Sequence, residues 1–295
     1  MPELPEVETM ARELRPHVLG RAIRSFWCDR PAILGGFADP AALASALAGR
    51  RILAVGRRAK IVLFLLDDGA LLTYAPRMTG QFAVVPAGAP RGPHERAGLG
   101  LSDGTELRIR DIRTFGRLGY HPAVSPEASE EGEGTRYIDA RTGRDVFADL
   151  GPEPLDPHTD ASVMARLSAR RHANTPIKPV LLDQRFLAGV GNIYADESLW
   201  AAGIHPGRQA GSLSAAEGQR LFGAVRRILA LAVDQRGSTV GDYRSLEGPG
   251  RMQERLSVYG RAGAPCPACG TALTKLRVGG RGTVVCPGCQ RLPGG

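Results

Sequence analysis

Between residues 3 and 19, apolar side chains recur at Leu4, Val7, Met10, Ala11, Leu14 and Val18, a spacing that gathers them on one face at 3.6 residues per turn. The pattern predicts one amphipathic helix, with Gly20 as its C-cap. From Ile23 to Tyr120 the period shortens. Runs at Arg51–Val55, Ile61–Leu66, Ala70–Tyr74, Gln81–Val85 and Leu107–Ile109 are punctuated by the turn pairs Asp68-Gly69 and Asp103-Gly104. Short strands joined by tight turns predict an antiparallel sandwich or barrel, with residues 39–47 as an interposed helix. The stretch 122–157 is acidic at Glu127, Glu130, Glu131 and Glu133 and carries Pro152, Pro154 and Pro157, the composition of a linker. Helical spacing returns at Ala161–Arg171, Pro179–Gln184, Tyr194–Ala202 and Ser214–Asp234. The polar, glycine-rich stretch from Gly237 to Gly250 reads as a mobile loop. The expected fold class is α+β: an N-terminal helix with an antiparallel β-sandwich (1–121), a linker (122–157), a helical domain (158–262) and a small C-terminal module (263–291). No internal repeat is found.

A chain of 295 residues with 43% hydrophobic content can fill two ordinary cores and a small appendage. No apolar run approaches the roughly 18 residues of a membrane span, and the acidic N-terminus lacks the basic-then-apolar order of a signal peptide. A soluble, cytoplasmic, monomeric protein without a membrane partner is expected. Net charge is +8 and the isoelectric point about 9.6. The positive charge is almost entirely arginine, because lysine occurs only at Lys60, Lys178 and Lys275. This balance argues for a polyanionic partner without identifying it, since RNA or an anionic surface would also fit. A lysine kept at Arg57-Arg58-Ala59-Lys60, where arginine is the local habit, points to a compact ammonium chosen for its geometry.

Four of the five cysteines form Cys266-Pro-Ala-Cys269 and Cys286-Pro-Gly-Cys289, two CxxC pairs separated by sixteen residues. That spacing lets two knuckles close one tetrahedral Zn²⁺ site. Four protein ligands leave no open position, so the ion is expected to be structural, and no organic cofactor is expected. A redox pair or two disulfides are the competing readings of the same cysteines. Between the pairs, glycines surround Arg281, which reads as a hairpin tip bearing one cation, or as an ordinary solvated turn.

The chain opens Met1-Pro2-Glu3-Leu4-Pro5-Glu6. If methionine is removed, Pro2 becomes an N-terminal secondary amine. An α-amino group has a reference pKa of roughly 7.7–8.0, so a useful fraction is neutral near pH 7. Condensed with a sugar aldehyde, such an amine gives an iminium that draws electrons and promotes elimination of the neighbouring phosphates. Glu3 and Glu6 stand three residues apart and share a helix face beside it. Taken alone, Pro-Glu equally well begins a helix.

These residues, together with motifs spread from residue 2 to residue 291, resemble the formamidopyrimidine-DNA glycosylase family. The resemblance implies a bifunctional glycosylase and apurinic/apyrimidinic lyase that removes oxidised purines from damaged double-stranded DNA. Under it Pro2 is the nucleophile, Glu3 the acid, Glu6 the organiser of the amine and a water, and Lys60 and Arg281 the holders of sugar or phosphate. Met78, in Pro76-Arg77-Met78-Thr79-Gly80, matches the methionine that enters the base stack. Arg113 and Phe115, in Asp111-Ile112-Arg113-Thr114-Phe115-Gly116, match the arginine that pairs with the widowed base and its aromatic wedge. Read alone, Met78 and Phe115 fit a core equally well. Gly189-Val190-Gly191-Asn192 looks like the turn of a helix–two-turns–helix element, with Asn192 binding phosphate or capping the next helix. Ala75-Pro76 stands where the family commonly shows His-Leu. His94 matches one phosphate-contacting histidine, and the second appears as Arg96. Two rivals remain: an endonuclease VIII-type enzyme for oxidised pyrimidines, which commonly has glycine at the position of Leu4, and a non-catalytic zinc-ribbon nucleic-acid binder.

Overall fold

The computed structural model describes residues 1–35, 39–128, 135–156, 159–167, 172–239 and 244–292. Its first compact unit comprises Met1–Glu127, Arg136–Phe147 and Gln235–Arg251. The opening helix, α1 (Leu4–Val18), buries the face that periodicity assigned to it, with Leu4, Val7, Ala11, Leu14 and Val18 fully covered. The chain leaves it through Gly20 at φ +73°, a left-handed conformation that glycine adopts without a Cβ clash. The polar face of α1 departs from the expected pattern, because Glu6, Thr9 and Glu13 are buried as well. The Gln235–Arg251 segment meets the two glutamates: Ser238 N donates to Glu6 Oε1 at 2.7 Å, and the Arg236 guanidinium pairs with Glu13, while Thr9 Oγ1 donates to Pro5 O within the helix at 2.9 Å. The glycine-rich stretch expected to be a mobile loop is therefore anchored at both ends, with Ser238 and Gly250 buried. Its centre, 240–243, lies outside the described residues.

Strand β1 (Ile23–Cys28) is followed by α2 (Pro40–Leu47), whose Asp39 N-cap accepts from Ala41 N at 2.8 Å. Then come β2 (Ile52–Arg58), β3 (Ile61–Leu66), β4 (Leu71–Ala75), β5 (Gly80–Pro86), β6 (Glu95–Leu101), β7 (Thr105–Asp111) and β8 (Arg117–His121). They form two antiparallel sheets, ordered β1-β6-β7-β5 and β2-β3-β4-β8. The inward residues of both sheets share one core with α1: Phe64, Leu72 and Tyr74 from one sheet, Phe82, Leu99 and Ile109 from the other. This is the expected sandwich. Strands β1, β6 and β8 were not legible, because arginines, glycines and a histidine interrupt their alternation. The topology has one consequence for the site: the chain crosses between sheets three times, from β1 to β2, from β4 to β5 and from β7 to β8, and the last two crossings carry candidate residues.

The stretch expected to be a linker carries three short strands, β9 (Val124–Ala128), β10 (Thr135–Asp139) and β11 (Arg144–Asp145), in a sheet of order β11-β10-β9. They are polar and brief, too short for a periodic signal. Glu130, Glu131 and Glu133 fall outside the described residues.

The second unit includes Ala148–Asp234 and Met252–Gly295. It contains α3 (Thr159–Leu167), α4 (Ile177–Leu182), α5 (Asn192–Ala201), α6 (Ala215–Asp234) and the hairpin β12 (Thr274–Val278) and β13 (Arg281–Val285). Helix α5 is nearly all buried, which is why its amphipathic signal is weak. No helix among the described residues is long and apolar enough to cross a membrane. Truncating the fully buried Leu14 to alanine is expected to lower stability by about 2–5 kcal/mol, from lost apolar burial and a residual cavity. Urea unfolding of the full chain measures it, and a loss below about 1 kcal/mol would show that α1 is not part of the core.

Candidate active site and nucleic-acid interface

The candidate residues fall into three groups, two in the first unit and one in the second. In the first group, Pro2 is buried behind an exposed Met1, and Glu3 and Glu6 are each 1% exposed. Pro5 in the first turn of α1 fits that position because a first-turn N–H has no helical partner to lose. The Glu6 carboxylate accepts from Glu3 N at 2.8 Å on one oxygen, and from Ser238 N at 2.7 Å and Ser238 Oγ at 3.1 Å on the other. Gly237 admits this approach, since a Cβ there would lie 2.7 Å from Glu6 Oε1. Lys60 occupies the β2–β3 turn beside Ala59, whose φ is +51°. Arg57 ties that turn to α1, donating to Glu8 Oε2 at 3.1 Å and to Ala59 O at 2.9 Å. Burial works to raise the Glu8 carboxyl, but the Arg57 and Arg12 guanidiniums outweigh it and hold the group below its ordinary value.

The second group lies on the β4–β5 and β7–β8 crossovers between sheets and on the loop from β5 to β6. Met78 is 40%, Ile112 37% and Phe115 45% exposed, three large apolar side chains left in water on neighbouring loops. Arg113 sits between them, its guanidinium carbon 4.7 Å from the Phe115 ring centre and Nη1 3.1 Å from Met78 Sδ. Exposed apolar groups around a cation mark a contact surface more than a core. The core alternative for Met78 and Phe115 is therefore set aside by their exposure. His94 ends the loop into β6, with φ +68°. Its Nδ1 is 3.2 Å from Arg96 Nη2. Arginine can only donate, so Nδ1 is the acceptor and Nε2 carries the proton, available to an outside acceptor. Arg96, standing where the family motif has a second histidine, serves the protein itself: its Nε donates to Asp111 O at 3.0 Å.

Backbone strain follows the same residues. The non-glycine residues at positive φ among those described are Ala59, Arg77, His94, Thr114 and Arg236. The first four adjoin or coincide with Lys60, Met78, His94, Arg113 and Phe115, and the fifth precedes the Gly237-Ser238 contact to Glu6. Such conformations cost about 1 kcal/mol or more each and persist where surrounding structure imposes them.

The third group is in the second unit. The four cysteine sulfurs lie within 4.8 Å of one another, with Cys266–Cys289 at 3.9 Å and Cys269–Cys286 at 3.4 Å. A tetrahedral Zn²⁺ with Zn–S of about 2.3 Å requires S···S of about 3.8 Å, so the donor set fits one structural zinc ion. Trp200 Nε1 donates to Cys266 Sγ at 3.4 Å, and Gln290 bridges Cys286 N and Ile204 O at 2.9 Å each. The hairpin turns at Gly279-Gly280, with φ +54° and +76°. Arg281 is thus not the tip itself but the exposed first residue of β13, paired with Val278. Gly191, not Asn192, occupies the N-cap position of α5. The Asn192 side chain instead donates to Gly282 O at 3.0 Å, which places it next to Arg281.

That union rests on a residue the sequence reading passed over. Lys178 is fully buried, pairs with Asp196 Oδ1 at 2.5 Å, and donates to Thr283 Oγ1 at 2.7 Å and Gly282 O at 3.1 Å. Burial pushes the Asp196 carboxyl up to about 6, opposed by the Lys178 ammonium. The scarcity argument that singled out Lys60 applied equally to Lys178. Glu197 was missed too, and its carboxylate accepts from Ser257, Val258 and Tyr259 N at 2.8 Å each.

Three family models match the chain: the formamidopyrimidine-DNA glycosylase N-terminal domain over residues 1–118, the formamidopyrimidine-DNA glycosylase H2TH domain over 150–244, and a zinc finger found in FPG and IleRS over 263–292. The chain is similar to the formamidopyrimidine-DNA glycosylase of Symbiobacterium thermophilum, 45% identical across 100% of this chain and 91% of that one. It is 43% identical to that of Geobacillus kaustophilus, over 99% and 100% of the two chains. Among solved structures, it resembles the Thermus thermophilus MutM (Fpg) protein with a TM-score of 0.80, 41% identity and 98% coverage of both chains. It also resembles Lactococcus lactis Fpg in complex with abasic-site DNA, with a TM-score of 0.84, 32% identity, and coverage of 98% and 100%.

Chelating the zinc is expected to release the β12–β13 amides to fast hydrogen exchange, because metal binding and local folding are one equilibrium in such sites. The β2–β3–β4 amides should be unaffected. Persistent hairpin protection after complete metal loss would contradict a structural role for the ion.

Proposed function

The chain belongs to the formamidopyrimidine-DNA glycosylase family, and we propose that it excises oxidised purines, 8-oxoguanine and formamidopyrimidines, from damaged double-stranded DNA and then cleaves the abasic strand. The observation that carries this reading is the start of the chain. Pro2 stands next to the N-cap, Glu3, of a helix whose first-turn carboxylate, Glu6, is locked by three hydrogen bonds. While Met1 is attached, the Pro2 nitrogen is a tertiary amide and no nucleophile. Its removal leaves a secondary amine at the positive end of α1, which disfavours protonation, beside two glutamates, which favour it.

In the reaction, the Pro2 nitrogen bonds to the anomeric carbon as the glycosidic bond breaks, and the departing base takes a proton delivered by Glu3. Ring opening gives an iminium. Loss of a C2′ proton then expels the 3′ phosphate, and a second elimination expels the 5′ phosphate. Water hydrolyses the remaining iminium and restores the amine. Glu6 orders the amine and that water, while Lys60 and Arg281 neutralise phosphate charge and Asn192 adds a neutral donor. The zinc ion takes no part in bond making and supplies the fold of the hairpin that presents Arg281.

Reaching the anomeric carbon requires the nucleotide to leave the stack. Met78 and Phe115 fill and wedge the gap, Arg113 supplies donors to the widowed base, and His94 Nε2 donates to a phosphate. The protein acts as a monomer on DNA, in the cytosol or nucleoid. With domains at 1–121, 158–262 and 263–291, the first carries the bond-making residues and also lends Lys60 and His94 to phosphate, while Asn192 and Arg281 come from the other two; within 158–262, Gln235–Arg251 clusters with the first compact unit.

Borohydride is expected to trap a covalent complex with abasic duplex DNA, and Pro2→Gly to abolish it. Equal trapping by the variant would remove Pro2 from the mechanism. On a lesion panel, 8-oxoguanine opposite cytosine should be released at least about tenfold faster than thymine glycol, a difference of about 1.4 kcal/mol in the barrier. The opposite ranking would reassign the enzyme to the endonuclease VIII type.

A further inference from the structure

The wedge residues Met78, Arg113 and Phe115 come from two different loops, and nothing in their sequence motifs explains what keeps the loops together. Loop 76–79 joins β4 to β5, and loop 112–116 joins β7 to β8. Each passes from one sheet to the other, and the strands flanking them are paired, Ala75 with Arg117 and Gly80 with Asp111. The two crossovers therefore run side by side at one end of the sandwich.

Between them lies Asp111, with no solvent exposure. Its Oδ1 accepts from Thr79 Oγ1 at 2.5 Å, in the first loop, and its Oδ2 from Gly116 N at 2.7 Å, in the second. Thr79 Oγ1 in turn accepts from Arg113 N at 3.0 Å. One hydroxyl is thus shared by the Met78 loop, the Arg113 loop and the buried carboxylate. The packing leaves little slack, because a Cβ on Gly116 would lie 2.6 Å from Tyr74 Oη and 3.0 Å from Asp111 Oδ2. The Asp111 backbone ties in a further group, donating to His94 O at 2.9 Å and accepting from Arg96 Nε. Arg77, His94 and Thr114, held at positive φ, surround this cluster. Their strain persists because these hydrogen bonds leave the backbone no relaxed alternative.

We propose that Thr79 and Asp111 are positioning residues whose buried hydrogen bonds fuse the two crossover loops into one preformed wedge, so that Met78, Arg113 and Phe115 enter the duplex as a unit. Neither residue touches DNA. The inference rests on the reading above that these loops enter the base stack. A wedge assembled before the encounter avoids ordering two loops during base extrusion, the step at which that entropy would slow the reaction. Removing the hydroxyl leaves a buried carboxylate oxygen and the Arg113 amide each short of a partner, which in a site of this kind costs about tenfold or more in the equilibrium that depends on it.

The test uses full-length, zinc-loaded protein carrying Thr79→Val, which keeps side-chain shape and removes the hydroxyl, with Thr79→Ser, which restores it. Met78→Ala serves as comparator. Duplex opening is read from the fluorescence rise of 2-aminopurine placed beside a tetrahydrofuran abasic analogue. Lyase chemistry is read separately on single-stranded abasic DNA, which needs no wedge. Thr79→Val is expected to slow opening about tenfold or more, with a much smaller effect on single-strand cleavage and recovery in Thr79→Ser. If Thr79→Val opens duplex like the parent protein while Met78→Ala is slow, the fused wedge is wrong and the insertion reading stands. If Met78→Ala is as fast as the parent protein, the insertion reading fails and this inference with it. Equal losses on both substrates that serine does not restore would show a folding role and overturn the proposal.

Discussion

The carboxylate of Glu6, 1% exposed, accepts hydrogen bonds from Glu3 N, Ser238 N and Ser238 Oγ. A buried charge of this kind persists only where donors converge on it, and here they come from both ends of the first compact unit. Glu3 belongs to the chain start, and Ser238 lies 232 residues beyond Glu6. The contact fixes the first turn of α1 and so the place where Pro2 stands. It also explains why Gln235–Arg251 belongs with the N-terminal sandwich although the intervening residues build another unit. Chemistry at an N-terminus is unusual because termini fray. In this chain Pro2 and Glu3 are instead buried, and Glu3 N is bonded to the Glu6 carboxylate.

The same device recurs at the other candidate groups. Asp111 joins the two crossover loops, and Asp196 with Lys178 joins α4, α5 and the zinc hairpin, which brings Asn192 beside Arg281. The Met78, Arg113 and Phe115 loops, and Asn192 with Arg281, are thus each backed by a buried carboxylate. Strain appears at Arg77, His94 and Thr114 near Asp111, at Arg236 next to the segment that binds Glu6, and at Ala59 beside Lys60. The groups that would touch nucleic acid are thus held in conformations that an unsupported loop would relax.

Sequence reading reached what local signals encode. The α1 face, strand β3 at Ile61–Leu66 and the CxxC pairs were legible because period and spacing are local properties. Strands β6 and β8 were not, since Arg96, Gly98, Gly119 and His121 break their alternation while long-range pairing holds them. The buried polar face of α1 was missed for a related reason, as its cover arrives from residue 235 onward. Candidate contacts such as Met78, Phe115 and His94 were found by resemblance, and their exposure or tautomer needed coordinates. Thr79, Asp111 and Asp196 gave no signal alone, because a serviceable hydrogen-bond anchor looks like any polar residue until its partners are known.

In the mechanism proposed above, the amine of Pro2, freed of Met1, bonds to the deoxyribose of the damaged nucleotide. Peptide mass spectrometry of the borohydride-reduced complex tests it most directly. The sugar is expected on the N-terminal proline peptide, with methionine absent. A sugar on Lys60, on any other side chain, or on a chain that retains Met1 would contradict it.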